Sequence, residues 1–335
     1  MGRATMADIV RESGLSRATV DRVLNHRPGV HPRTRAAVEQ ALARLSQRQE
    51  PKPDLPGIDF ALRLGAGLFA QVERLADCLG DRRHVFHELT QQGDVAVLSR
   101  VRALCEDISR PLVVTVKETP QVVAELARAR RRGKIVIAMI SDLPSEARDA
   151  YVGIDNRSAG ETAAFLIGRA LGERPTTVGL VLGDHAYRCH QEREIGFRLG
   201  LRTNFPRVAL IGEAIGQDNP EITRAAVLRL LQDNPGIGAL YNASGGKQGV
   251  AAAIADAGRT GDILTIAHEL NRITVPLLMD GRIDYLLSQD PRDLLREAVR
   301  QVDMLRADRL TSEVFVDYGV YTRFNLPSYG RLGLG

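Results

Sequence analysis

At 335 residues with 44% hydrophobic side chains, the chain is long enough to bury more than one core. No run approaches the roughly 18 apolar residues of a membrane span, and the opening MGRATMADIV lacks the apolar stretch of a secretory signal, so a cytoplasmic protein is expected. Three widely spaced cysteines (Cys78, Cys105, Cys189) without a C-x-x-C fit reduced thiols rather than a disulfide or zinc framework.

The formal charge of +4 is unevenly placed: residues 1–50 hold nine arginines against five acids, and the other 36 basic and 36 acidic residues cancel. A basic head on a neutral body is the electrostatic footprint of a module that binds nucleic-acid phosphates. Charge alone fits a solvated arm equally well. The head breaks into three helical patterns. Thr5 is placed to cap a first helix with Met6, Ile9 and Val10 inward, which Gly14 ends. Ser16 is placed to cap a second, with Val20, Val23 and Leu24 inward. Val38, Ala41, Leu42 and Leu45 mark a third. Three short helices with a Gly-bearing turn between the first two match a helix-turn-helix.

Residues 46–57, SQRQEPKPDLPG, are polar with three prolines and read as a linker. Beyond them, apolar runs such as IDFALRL, LVVTV, KIVIAMI, TVGLVLG, VALIG, GIGALYN, ILTIAH and IDYLLSQ alternate with helical patterns. The helices are expected at 68–79, 120–132, 158–171, 191–203, 220–232, 246–257, 272–281 and 291–305. Alternation of this kind predicts parallel sheets with helices on both faces, in two lobes, and ligands at the carboxyl ends of the strands.

Several motifs point toward enzymes or metals. GAGLFA (65–70) fits the dinucleotide fingerprint in form, but the acid expected about 20 residues later falls to Glu88, in a segment that reads poorly as a strand. SGGKQG (244–249) departs from a P-loop, with Gln248 in place of the magnesium-binding Ser or Thr and Tyr241 in place of the first Gly. HAYRCH (185–190) and HVFHE (84–88) lack a second ligand pair at metal spacing and read as loop histidines. No nucleophile elbow is visible. The expectation is therefore a binding protein with no cofactor and no metal, not an enzyme.

The head then becomes specific. TMADIVRESGLSRATVDRVLN, followed by Val30, Thr34, Arg35 and Val38, resembles the N-terminal domain of the LacI family of bacterial transcription regulators. Further stretches, including YVGIDNRSAGETAAFLIGRAL, HQEREIGF, ALYNASGGKQGVAAAI, TIAHELN and LLSQDP, resemble that family's two-lobed effector domain, related to periplasmic sugar-binding proteins. The resemblance implies an all-α helix-turn-helix head (1–46), a Pro-rich linker (47–57) and an α/β periplasmic-binding-protein-like body (58–330). Lobe 1 would take about 58–155 plus 290–318, and lobe 2 about 156–289 plus 319–330. It further implies a homodimer on a pseudo-palindromic double-stranded DNA operator, whose affinity changes when a small sugar or polyol enters the cleft. The competing readings are a transporter's solute-binding component, which the basic head opposes, and an NAD-linked enzyme resting on GAGLFA.

Two departures from the family stand out. Asp21 replaces the usual Ser, four residues after Arg17 and placed for an i,i+4 pair with it. Prolines 51, 53 and 56 exclude the usual hinge helix after the head, and with it a wedge into the minor groove. By resemblance, Arg17, Ala18 and Arg22 read bases, while Thr5, Ser16, Thr19, Asn25 and Thr34 hold phosphates. Motif matching in the body implies ligand contacts from Phe69, Asp142, Asn156, Arg193, Asn242, His268 and Gln289. His268 is taken to stand where the family has Asp, with Glu269 alongside.

Overall fold

The computed structural model describes residues 6–24, 30–31, 34–41, 56–80, 82–171, 175–311 and 313–328. Residues 1–55 and 56–335 form two compact units.

In the first unit, α1 (Met6–Ser13) and α2 (Arg17–Leu24) are joined by a turn at Gly14, whose φ of 66° a residue without Cβ adopts freely. A third helix, α3, covers residues 34–41. Ser16 caps α2: its Oγ accepts the Thr19 amide at 3.2 Å, satisfying one of the N–H groups that a helix start leaves unpaired. Ile9, Val20, Val23 and Val38 bury together, so each helix contributes to one small core. Burying such a side chain is worth about 1.5–3 kcal/mol.

The second unit contains two six-stranded sheets. In chain order its elements are β1 (Asp59–Leu62), α4 (Ala66–Arg74), a 3₁₀ turn (Ala76–Leu79), β2 (Val85–Glu88), α5 (Asp94–Glu106), β3 (Leu112–Thr115), α6 (Pro120–Arg131), β4 (Val136–Met139) and β5 (Ala150–Gly153). Next come α7 (Asn156–Leu171), β6 (Thr176–Leu182), α8 (Arg188–Asn204), β7 (Val208–Ile215), α9 (Pro220–Asp233), β8 (Ile237–Asn242), α10 (Lys247–Asp256) and β9 (Leu264–His268). The chain closes with α11 (Thr274–Met279), β10 (Tyr285–Gln289), α12 (Pro291–Arg306), β11 (Glu313–Phe315) and β12 (Tyr318–Tyr321). The sheet orders are β11-β5-β4-β3-β1-β2 and β12-β10-β9-β8-β6-β7. All neighbouring strands are parallel except β12, which runs antiparallel to β10.

The central strands are fully buried, as the continuous apolar runs require of a sheet covered on both faces. In lobe 1, Phe60, Leu62 and Ile137 pack against Leu294, Leu295 and Val302 of α12 on one face. On the other face Leu112, Val114 and Val136 pack against α5 and α6. Lobe 2 repeats the plan with α7 and α8 on one side and α9 and α10 on the other. The chain passes between the sheets three times: after β5, after β10 and between β11 and β12.

Some elements differ from the sequence expectation. β2 forms in the segment around Glu88 that read poorly as a strand; it is a partly exposed edge, so its alternation is weak. α5 was not expected. Its inward residues Val97, Val101 and Cys105 are regular, but Val95 is 85% exposed on the opposite face and blurs the stripe. The helix expected at 68–79 divides into α4 and the 3₁₀ turn.

The seam between α7 and α8 fixes the site below it. A Cβ on Gly160 would stand 2.1 Å from the Arg193 carbonyl oxygen, and one on Gly196 2.0 Å from that of Arg157. The helices therefore approach at backbone distance, which holds Arg193 of α8 against the start of α7.

Candidate functional site

On α2, Ser16, Arg17, Ala18 and Arg22 are exposed, while Val20 and Val23 face the core. The helix thus presents one contiguous polar face. Thr19 is half-buried, with its Oγ1 2.8 Å from Ser16 Oγ, and Thr34 opens α3, its amide donating to the His31 carbonyl at 2.9 Å. No Arg17–Asp21 ion pair is present among the described residues. Thr5 and Asn25 lie outside the described residues, as does most of the linker.

In the body, a cleft of about 650 Å³ opens between the lobes at the carboxyl ends of the strands. Lobe 1 contributes Arg63, Thr90, Thr115, Lys117 and Ile140; lobe 2 contributes Asp184, Tyr187, His190, Arg193, Asp218, Lys247 and Glu269. The lobes touch across it. Lys117 pairs with Asp184 at 2.7 Å, and the Glu118 amide donates to the Ala186 carbonyl at 2.7 Å.

Arg193 is only 2% exposed, and its guanidinium is oriented by Nε donating to Asn156 Oδ1 at 2.8 Å and Nη1 donating to the Ala243 carbonyl at 2.9 Å. Asn156 is therefore not in the cleft lining but beneath it. Its Nδ2 lies 3.1 Å from the Tyr151 hydroxyl and 3.4 Å from the Ile140 and Ile154 carbonyls, tying Arg193 to the interlobe crossing. Lys247, at the first position of α10, pairs with Glu269 at 2.9 Å. Burial pushes the Glu269 carboxyl up, but Lys247 and Arg193 outweigh it and hold it below its ordinary 4.5. Burial holds His190 below its ordinary 6.5 against the opposing charge of Asp218, and pushes the Tyr187 hydroxyl up.

Of the seven ligand positions expected from the sequence, only Arg193 lines this cleft. Phe69 points inward with Leu68 and Val72 of α4 and packs in the lobe 1 core. The Asp142 carboxylate is clamped by Arg148 at 2.6 and 2.8 Å and lies with Asn156 in a separate recess of about 260 Å³. Asn242 shapes the turn after β8: its Oδ1 accepts the Ser244 amide at 2.9 Å, and its Nδ2 donates to the Gly245 carbonyl at 3.0 Å. Gln289 is buried at the end of β10, outside the lining.

His268 is fully buried, its Nε2 2.7 Å from the Tyr241 hydroxyl and its Nδ1 without a partner. The next residue faces the cleft instead, because Glu269 adopts a left-handed φ of 71° and ends the alternation of β9. Ile140, at φ 68°, does the same after β4.

Sequence reasoning missed Lys117, Asp184, Tyr187, His190, Asp218 and Lys247 as lining residues, and named Glu269 only as the neighbour of His268. Two motifs set aside as a P-loop and as loop histidines supply several of them: SGGKQG forms the turn into α10, and HAYRCH opens α8. Among the described residues no cluster of His, Cys, Asp and Glu could hold a metal, and no helix is long and apolar enough to cross a membrane.

Residues 5–47 match the family described as bacterial regulatory proteins, lacI family, and residues 111–308 match the periplasmic binding protein domain family. No curated protein matches the chain. Among solved structures, a glucose-galactose binding protein from Geobacillus stearothermophilus is 18% identical, with a TM-score of 0.73 over 81% of this chain and 99% of its own. An ABC transporter solute-binding protein from Burkholderia graminis, in complex with D-arabinose, is 21% identical, with a TM-score of 0.74 over 82% of this chain and 98% of its own. Another from Agrobacterium vitis, with bound D-fucose, is 16% identical, with a TM-score of 0.73 over 81% of this chain and 97% of its own. These likenesses concern the fold. Both matched families are non-enzymatic. With a regulator-type head and a two-lobed binding domain in one polypeptide, the chain belongs to the LacI family of bacterial regulatory proteins.

Proposed function

We propose that this protein is a ligand-responsive transcription regulator that binds a pseudo-palindromic operator as a homodimer and changes its DNA affinity when a small polyhydroxylated molecule enters the cleft. The observation that carries the reading is the union, in one chain, of the exposed Arg17–Ala18–Arg22 face on a capped helix with a polar cleft built around a buried arginine. An arginine at the start of a recognition helix donates two parallel hydrogen bonds to guanine O6 and N7, and a small Ala18 accommodates a thymine methyl. Ser16, Thr19 and Thr34 fit phosphate-positioning roles, as Thr5 and Asn25 do by resemblance. The similar solved proteins bind D-arabinose or D-fucose or are named for glucose and galactose, which supports a sugar-like effector. The basic head opposes a transporter role.

The test is a binding-site selection with the purified full chain, followed by competition of the selected DNA with sugars, polyols and their derivatives. A two-fold-symmetric site released or tightened by a cleft ligand is expected. Selection of no sequence preference overturns the reading. The proline-bearing linker predicts an operator without a sharp minor-groove kink, and a strongly bent site in a gel-phasing assay contradicts that part.

A further inference from the structure

Resting on the cleft reading above, we infer that the effector carries an anionic oxygen group, a carboxylate or a phosphate ester, on its polyhydroxylated skeleton, seated on the floor formed by Arg193 and the start of α10.

The floor holds more positive charge than the protein neutralises. Arg193 is 2% exposed, yet its two hydrogen bonds go to neutral acceptors, the Asn156 side-chain amide and the Ala243 carbonyl. Among the described residues it forms no ion pair, and its Nη2 makes no hydrogen bond. A guanidinium taken out of water with only neutral partners is incompletely compensated. Lys247 is also buried, 8% exposed, and shares the one carboxylate of the floor, Glu269, at 2.9 Å. Of the other two acids that line the cleft, one is paired and one is exposed to water. Asp184 is taken by Lys117 at 2.7 Å, and the exposed Asp218 accepts the Gly245 amide at 2.6 Å.

The backbone adds to the same field. α10 starts after Gly246, which lines the cleft, and no side-chain hydrogen bond closes that helix start among the described residues, whereas in the first turn of α8 the Cys189 amide donates to Ser141 Oγ at 3.4 Å. By contrast α6, α9 and α12 are closed by Thr119, Asn219 and Asp290. An open helix start presents amide donors and a partial positive charge. The Arg193 bond to Ala243 ties its guanidinium to the strand end that feeds the Gly245–Gly246 turn and the start of α10, and Arg193 and Lys247 both act on the Glu269 carboxylate. A neutral polyol can bond to these groups but leaves the charge uncompensated. A carboxylate or phosphate supplies both charge and paired acceptor oxygens, the geometry a guanidinium fork matches best.

The test uses the full chain at constant ionic strength, with isothermal titration calorimetry and thermal shift. The probes are glucitol and galactitol, the corresponding aldonates, glucose 6-phosphate, and inorganic phosphate as a fragment. At least one anionic member is expected to bind about tenfold tighter than its neutral counterpart, and phosphate to raise Tm saturably. Preference for aldonates over the phosphorylated sugar identifies a carboxylate, and the reverse a phosphate.

Arg193→Gln should abolish both the anion preference and the phosphate response, with Arg193→Lys retaining part. Lys247→Gln, on the more accessible side chain, provides the same readout should Arg193→Gln fail the far-UV circular dichroism check. Neutral polyols binding as tightly as their anionic counterparts overturn the inference and leave the effector cleft intact. A phosphate response undiminished in both Arg193→Gln and Lys247→Gln overturns it as a surface salt effect. Ligands of either class that bind both variants unchanged overturn the cleft reading as well.

Discussion

Lys134 offers a test of how lobe 1 is held together. The residue is 2% exposed, and its ammonium donates to the carbonyls of Leu104 at 2.6 Å, Asp107 at 2.8 Å and Arg110 at 2.8 Å. Leu104 lies in the last turn of α5, where carbonyls lack intrahelical partners and a cation is favoured. Replacing Lys134 with Met keeps the aliphatic stem but removes the three donors. Each carbonyl left unsatisfied costs about 1–3 kcal/mol. Part of this is returned, because the ammonium no longer has to be desolvated. The net expectation is a loss of about 2–4 kcal/mol, or roughly 3–7 °C in Tm for a body of this size.

Urea titration of the full chain by far-UV circular dichroism should show a lowered midpoint with an unchanged slope. The pH dependence adds a second readout. Burial depresses the Lys134 pKa below 10.5, so the unfolded chain binds that proton more tightly than the fold does. Stability should therefore rise as pH climbs from the folded-state pKa toward 10.5, and Lys134→Met should abolish that rise. A loss below about 1 kcal/mol, with an unaltered alkaline profile, refutes the argument.

The α7–α8 seam predicts that Gly196→Ala, whose Cβ would meet a backbone oxygen at 2.0 Å, destabilises lobe 2 by about 1–3 kcal/mol and displaces Arg193. A thermal scan with unchanged Tm counts against so close an approach. Burial, with Arg193 and Lys247 nearby, holds His268 well below 6.5, so the unfolded chain gains a proton there first as pH falls. Stability should drop below pH 6.5 at about 1.4 kcal/mol per pH unit from this group. His268→Gln should flatten that slope, and parallel profiles for the two proteins contradict the assignment. In the head, Arg17→Ala should cost about 1–3 kcal/mol at one base and relax preference there. An unchanged selected sequence removes Arg17 from base reading.

The head and the strand–helix alternation were legible because they rest on local periodicity. Val20 and Val23 face inward and Ser16 caps α2, as spacing and capping chemistry require. Fully buried central strands likewise appear as unbroken apolar runs. Elements that depart from clean patterns were missed: the exposed edge β2, and α5 with its outward Val95.

The cleft was much less legible, because its residues come from strand ends, where period-two reasoning stops. Along β9, His268 is directed into the core beside Tyr241, and the left-handed backbone at Glu269 turns the following carboxylate into the cleft. Asn156 and Arg193 lie 37 residues apart and acquire their roles only when α7 and α8 meet at backbone distance. SGGKQG was set aside as a failed P-loop, and the place of its lysine beside Glu269 depends on how two separate strands end side by side in one sheet. A basic three-helix head and an α/β body of two lobes could be read from residue order, since both follow from short-range pattern and burial. Which side chains share the cleft was decided by tertiary structure alone, because backbone reversals and close helix contacts between distant segments set where those side chains point.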